Sequence, residues 1–533
     1  MISIQALQDV NFASQKQLKM AIRVRKDSEG NRRPDYHPGS KPGSGGRGGS
    51  PLVYFIPMIL KMFSKNPKIL IILIIIGGVF MYFKGCGSFS SGGEDTISQL
   101  LSKGCSFDEA RYDATEVFEP LADNVSSPLP ERIVLDKYAP KRLNQGKQGS
   151  CVAWASAYAA RTILHSRETG ENPDKIAFSP SFLYNQIKLD GCQGSYLPDA
   201  MKKLQNGGVL PLTEFPYDDS SCDNTPRGQD LAEAKEFTID GYNRLTMGGD
   251  DHAVDMLAIK QNLSQGAPVV IGMMVGGTFM REMEGQEVWI PQADDYNMRN
   301  FGGHAMCVIG YDDYFEGGSF RVMNSWGENW GDRGMFWLRY KDFDYFVKEA
   351  YGIYPMGDSN APRGTKNEIK MGIRLNDKGL VPLEAQAPGK FITRDKLKTE
   401  ELFKIEFSNS LPCYVYVFGE EADGSTTVLF PYTAKHSPYC GITGARLFPK
   451  DHSYYPDETG NEDRFALVVS PKALNYPEIN KQLNSASGPL DAKLKSVFSG
   501  KAILAEDEQG GETAKMQLVQ QEGIYSAVIS VRK

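Results

Sequence analysis

The chain has 533 residues, of which 41% are apolar, 11% aromatic and 23% charged, a balance that excludes long-range disorder and a length that exceeds one core. The net charge of −7 is unevenly spread: residues 1–68 hold twelve Lys or Arg and four Asp or Glu, so the remainder carries −15. No basic stripe with interleaved aromatics crosses the acidic part, which excludes a nucleic-acid site, and a basic arm before an acidic body reads as a membrane topology signal.

Residues 1–68 read as a basic, largely disordered arm, with a flexible linker at 39–50. The segment LVYFIPMIL (52–60) is too short to cross a bilayer, contains Pro57, and reads as interfacial. An unbroken apolar run follows from Ile69 to Phe83. Fifteen residues rise only ~22 Å as a helix, and Lys68 and Lys84 extend the span by snorkelling. Residues 69–84 are therefore expected to be a single transmembrane helix in a lipid bilayer. Basic residues on the N-terminal side place that arm in the cytoplasm and the body outside it, in a periplasm or at a cell surface. Cys86 lies poorly for lipidation, because Phe83 and Lys84 precede it.

Residues 85–128 read as a linker and stalk, with helical periodicity over 96–120 ending at Pro120. A globular unit is expected over 129–356. Its first half carries helix signals at 151–166, 179–189 and 196–206; its second half alternates like sheet at 268–275, 305–313, 320–326 and 335–340. Helices first and strands second suggest two lobes with a cleft between them. After a turn-rich boundary, residues 357–533 read as mostly strand, including a hairpin turning near Asp423-Gly424 and strands at 464–470 and 525–531.

The eight cysteines include two pairs that each fall within one expected domain, Cys192 with Cys222 and Cys413 with Cys440. Both are disulfide candidates, and sequence alone does not fix connectivity. Cys307 sits mid-strand as a buried thiol. Cys-x2-Cys spacing is absent, so no structural zinc, and no cofactor, is expected.

Cys151 opens a helix, where unpaired N–H groups and the helix dipole favour a thiolate. A buried structural thiol is the competing reading. Of the histidines, His37 lies in the arm, His165 is fourteen residues along the Cys151 helix, and His252 heads a surface helix. His304 differs: in FGGHAMCVIGYDD it follows two glycines at the head of an apolar strand, which lets the backbone bring its ring close to another lobe. Asn324 ends a strand and offers an amide oxygen to orient that ring, and Trp326 is expected to shield the pair. Gln145 supplies an amide donor that, with the Cys151 N–H, forms an oxyanion hole.

These residues resemble the papain-like cysteine peptidases. The likeness rests on the six-residue gap from Gln145 to Cys151, on GGHAMCVIGYDD and on NSWGENWGDRGMFWL, with FSPSFLYN and GVLPLTEFPYDDSSC between them. The resemblance implies an α+β, two-lobed fold, one lobe helical and one a β-barrel, and hydrolysis of polypeptides through an acyl-enzyme. It implies Cys151 as nucleophile, His304 as base and acid, Asn324 as its orienting partner and Gln145 in the oxyanion hole. Gly194 and Ser195 are expected beside the substrate backbone, with Gly303 and Trp326 in the substrate-facing set. Val152 stands where the family has an aromatic residue, Gln148 where it has a cysteine, and CQGS replaces its Cys-Asn-Gly-Gly. The missing cysteine favours a Cys192–Cys222 link, and the long Cys151–His304 interval implies an insertion at 288–300. The family's long inhibitory propeptide is not apparent; occlusion of the cleft by 96–120 is the alternative to a plain stalk. The C-terminal unit resembles an all-β domain of unknown function found beside peptidases in bacterial surface proteins, expected to meet a protein partner or act as a spacer. A catalytically dead peptide-binding scaffold and a transpeptidase are the rival functions.

Overall fold

The computed structural model describes residues 23–26, 104–122, 128–246, 253–354, 368–498, 502–504, 511–517 and 523–533. The apolar run 69–83, the linkers at 39–50 and 85–95, the segment 52–60, the boundary 357–367, Cys86, His37 and His252 lie outside these residues. Among the described residues no helix is long and apolar enough to cross a membrane.

The helix that carries Cys151 starts at Cys151–Ala153, continues with π-type winding through Trp154–Arg161 and ends as regular α-helix over Thr162–Thr169. Gly170, at φ 75°, closes it in the left-handed conformation that glycine adopts without a Cβ penalty. Ala155, Ala157, Ala159 and Ala160 are all buried, and their small side chains let the helix lie close to its neighbours. The other expected helices form at Pro180–Ile187 and Leu197–Gly207, each with proline in its first turn.

Eleven strands frame this part of the chain and its approach: β1 (Arg23–Lys26), β2 (Cys105–Ser106), β3 (Arg132–Val134), β4 (Ser195–Tyr196), β5 (Gly241–Arg244), β6 (Val269–Val275), β7 (Val288–Trp289), β8 (Gly302–Asp312), β9 (Ser319–Met323), β10 (Met335–Arg339) and β11 (Val347–Tyr354). One sheet runs β5-β11-β6-β8-β9-β10-β7, with β3 also paired to β8. Among the described residues its hydrogen-bond ladder ends at β5 and β7, so it is an open sheet where a barrel was expected. β6 is buried along almost its whole length and β8 through Tyr311, which is why both read as near-continuous apolar runs. Register pairs Met273 with His304 and Gly272 with Ala305.

The C-terminal unit is a two-sheet sandwich. Alternate residues Ile369, Met371 and Ile373, Phe403, Ile405 and Phe407, and Phe465, Leu467 and Val469 point into its core. On the outer face of the second sheet, Tyr416, Phe418, Ala466 and Val468 are covered by the helices Tyr476–Ser485 and Leu490–Val497. β1 adds to the first sheet by antiparallel pairing with His452–Tyr455, so residues 23–26 of the arm lie against the C-terminal unit.

Residues 104–122 depart from the expected helical stalk. They form an extended strap with one short helix, Glu109–Asp113. The periodic apolar residues do not build one helical face. Cys105, Tyr112 and Phe118 are buried at separate places, and tertiary contacts override the helical pattern. Phe118 N–H donates to Arg244 O at 3.0 Å, Val117 N–H to Lys435 O at 2.6 Å, and Ala122 N–H to Ala445 O at 2.7 Å. The strap thus spans both globular parts.

Candidate active site

Cys151 is fully buried, and its Sγ accepts the N–H of Ala305, the residue after His304, at 3.4 Å. The sulfur therefore sits against β8 beside the histidine. His304 Nε2 meets Asn324 Oδ1 at 2.8 Å, and the Ser325 N–H donates to the same oxygen at 2.8 Å. Asn324 is fixed as an acceptor by these bonds, so Nε2 carries the ring proton toward it and Nδ1 is the nitrogen left for chemistry. Trp326 stacks on the imidazole, with centroids 4.4 Å apart and planes at 26°. Gln145 is anchored by bonds that include four around its backbone and side chain: its N–H donates to Ser325 O at 2.8 Å, Ser325 Oγ donates to its Oε1 at 2.7 Å, its Nε2 donates to Gln148 O at 2.9 Å, and Tyr217 OH donates to its carbonyl O at 2.7 Å. Sequence-distant residues 145, 151, 304, 324 and 326 lie together. The other described histidines are elsewhere: His165 packs on Phe178, His436 on Tyr432, and His452 lies exposed in a strand.

The strap occupies the surface expected to receive substrate. β2 pairs in parallel with β4, Cys105 opposite Ser195, and the Ser195 N–H donates to Gly104 O at 2.9 Å. Three backbones meet here, and a Cβ at Gly104, which sits at φ +103°, would fall 1.9 Å from Gly149 O. Cys105 O lies 2.0 Å from where a Cβ on Gly303 would stand, so Gly303 must lack a side chain. The Phe107 ring lies over both Gly272 and Gly303, 2.7 Å from the Cβ position at each. Burial raises the Cys105 thiol well above its usual range, and the neighbouring Cys151 raises it further. Gly194, Ser195 and Gly303 are thus covered in this structure, while Trp326 stays with the histidine.

Comparison with known proteins decides the family. A model described as papain family cysteine protease matches residues 136–354, and a domain of unknown function (DUF4384) matches 396–473. The uncharacterized peptidase C1-like protein L477 of Acanthamoeba polyphaga mimivirus is 31% identical over 216 residues, 39% of this chain and 68% of that protein. The chain belongs to the papain family of cysteine proteases. Cathepsin K of Mus musculus is 30% identical over 196 residues, covering 36% of this chain and 53% of the cathepsin, so the match spans about half of that relative. Xylellain, a cysteine protease from Xylella fastidiosa, aligns in structure with a TM-score of 0.40 at 23% identity, covering 49% of this chain and 97% of that one. This family membership makes the chain a papain-like cysteine peptidase, a hydrolase.

The papain-family domain handles its departures locally. Gln148, in place of a cysteine, donates through Nε2 to Asp218 O at 3.3 Å and Ser221 O at 3.2 Å, holding by hydrogen bonds a loop that ends at Cys222. Cys192 and Cys222 are bonded, across a separation of 30 residues. Val152 is fully buried, and Trp154 packs between Tyr158 and Tyr217. Ser195 meets its neighbour through its backbone, as a serine can. The 288–300 segment, where an insertion was expected, is pinned by buried Asp295, which accepts from the N–H groups of Thr278 and Gln292.

The second disulfide candidate is corrected. Cys413 and Cys440 are direct register partners in adjacent strands, yet both remain thiols. Burial pushes Cys413 well above its ordinary value and Cys440 up to about 11, which suppresses the thiolate that exchange requires. Cys307 is a fully buried thiol, as expected. Cys105 and Phe107 at the cleft match the alternative of occlusion by 96–120 rather than the plain stalk, although the sequence did not single out either residue. A two-residue strand has no periodicity to detect, and a Gly-Cys-Ser-Phe stretch carries no signal of its partner.

Proposed function

We propose that the chain cleaves peptide bonds through a thioester acyl-enzyme at Cys151, and that the strap 104–107 must leave the cleft first. The Cys151 thiolate attacks the scissile carbonyl carbon, and the resulting oxyanion is met by the Cys151 N–H and the Gln145 side-chain amide. His304, held by Asn324, gives its Nδ1 proton to the departing amine as the C–N bond breaks. Water then attacks the thioester, His304 takes its proton, and the C–S bond breaks to release the acid and regenerate the thiolate. The observation that carries the reading is the convergence of Cys151 Sγ on the His304–Ala305 strand with His304 Nε2 fixed on Asn324. The apolar run 69–83 between lysines supports a bilayer tether, and a strand-rich sandwich domain without catalytic residues beside the catalytic part supports contact with a protein partner.

A thiol-directed epoxide tests this on the full chain. In Gly104→Val, which displaces the strap, the label goes to Cys151, and adding His304→Ala slows labelling at least 100-fold. Equal slow labelling of several thiols in both chains overturns the reading in favour of a dead scaffold. Adding free amines to the Gly104→Val enzyme distinguishes hydrolysis from transpeptidation by whether the acyl group reaches water or the amine.

A further inference from the structure

A cavity of about 580 Å³ lies away from Cys151, walled by the strap, the helix Leu197–Gly207 and the C-terminal sandwich. Its sandwich wall carries Tyr414, Tyr416, Tyr439 and Tyr476, and Tyr242 stands on the catalytic side. Such a size, with a wall of aromatic rings facing a mixed polar and charged wall, suits a bound ligand that is part apolar and part polar. Two features set the chemistry. Glu116, from the strap, lines the cavity and makes no ion pair among the described residues. Burial raises the hydroxyl pKa of Tyr242, Tyr414, Tyr416 and Tyr476, and the Glu116 carboxylate raises each further, so one negative charge lies within reach of four rings. Of the other acidic groups, Asp199 is already matched by Arg111 at 2.6 Å, and Asp240 adds negative charge beside Tyr414 and Tyr439. Tyr439 is only 6% exposed, and its hydroxyl has no hydrogen-bond partner among the described residues.

We infer that this cavity binds a basic side chain, the ammonium of lysine or the guanidinium of arginine, carried by an extended polypeptide. Ring faces attract a cation through their quadrupoles, most strongly when it is partly desolvated. The Glu116 carboxylate, which accepts from Ser437 and whose pKa burial raises, supplies the counter-charge, and the Tyr439 hydroxyl supplies a donor for a peptide carbonyl. Lys202, exposed at the rim, sets a repulsive charge that limits affinity.

The test uses the full chain as Cys151→Ala, so that binding is read without turnover and independently of the catalytic proposal. Fluorescence anisotropy follows dye-labelled (Gly-Lys)4, (Gly-Ser)4 and (Gly-Glu)4 peptides. The lysine peptide is expected to bind, with Glu116→Gln weakening it at least tenfold and Lys202→Glu tightening it at least threefold. Glu116 and Lys202 are exposed enough that neither change threatens folding. Equal binding of the serine peptide, or a dissociation constant within twofold in Glu116→Gln, overturns the inference.

Discussion

Gln145 joins three separate pieces of backbone around the reacting sulfur, so its substitution has two measurable effects. Loss of one oxyanion donor lowers kcat by about 10²–10³, and Gln145→Ala should show this in a strap-released chain with KM little changed. The same change removes the bonds to Ser325 and Gln148, each worth about 1 kcal/mol, so the thermal midpoint falls as well. At this scale the sequence was informative where a residue's signal is local. Cys151 starts a helix and His304 follows two glycines, and both marks are visible in a few consecutive letters. Gln148 bridging to Asp218 and Ser221, or Glu349 buried with its carboxyl raised to about 8 by burial, left no such mark, because their surroundings come from distant parts of the chain.

The strap is the element whose behaviour differs most from its sequence pattern, and it makes two predictions. A valine side chain at Gly104 overlaps Gly149 O and meets a left-handed backbone, a strain on the order of 2–3 kcal/mol. Gly104→Val should therefore speed alkylation of Cys151 by roughly 30- to 150-fold. The second concerns pH. Glu119, within the strap, is buried, and burial raises its carboxyl from 4.5 to about 7 while Tyr432 donates to it. Docking thus takes up a proton, so its free energy is fully favourable below about pH 4.5 and weakens as pH rises toward 7. Alkylation of Cys151 should accelerate between pH 5 and 7 more steeply in the wild type than in Glu119→Gln, a comparison that cancels the titration of the nucleophile itself. If the two profiles run parallel, Glu119 does not control docking. Elsewhere, the Cys192–Cys222 bond closes a loop whose entropy is worth about 3–4 kcal/mol, and the double serine variant should lose that much against urea. The strap was unreadable as a strap because its buried residues answer to sites on two different domains. The helices at Pro180–Ile187 and Leu197–Gly207 were readable because their proline starts and apolar faces are local.

For the molecule as a whole, the division into a helix-then-sheet catalytic part and a strand-rich tail followed from the switch of hydrophobic period, and both parts fold accordingly. What periodicity could not supply is how the parts join. β1 pairs with His452–Tyr455, which holds residues 23–26 beside the C-terminal sandwich. A single membrane crossing at 69–83 would hold them on opposite sides of a bilayer, so pairing and crossing exclude each other within one molecule. Lys26 and His452 are exposed register partners, and the pairing predicts that Lys26→Cys and His452→Cys cross-link in membranes prepared from cells. An impermeant thiol reagent that labels Cys at 452 but never at 26 would instead establish the crossing.

Because the downstream half of the strap is gripped by Lys435, Ala445 and Arg446, the tail is a distant handhold for the segment that lies over the cleft. Damage there, by a nick or by a competitor for that grip, would loosen the cover over Cys151 without anything touching the catalytic half. A shortened enzyme lacking the tail would then be harder to keep silent than to make active.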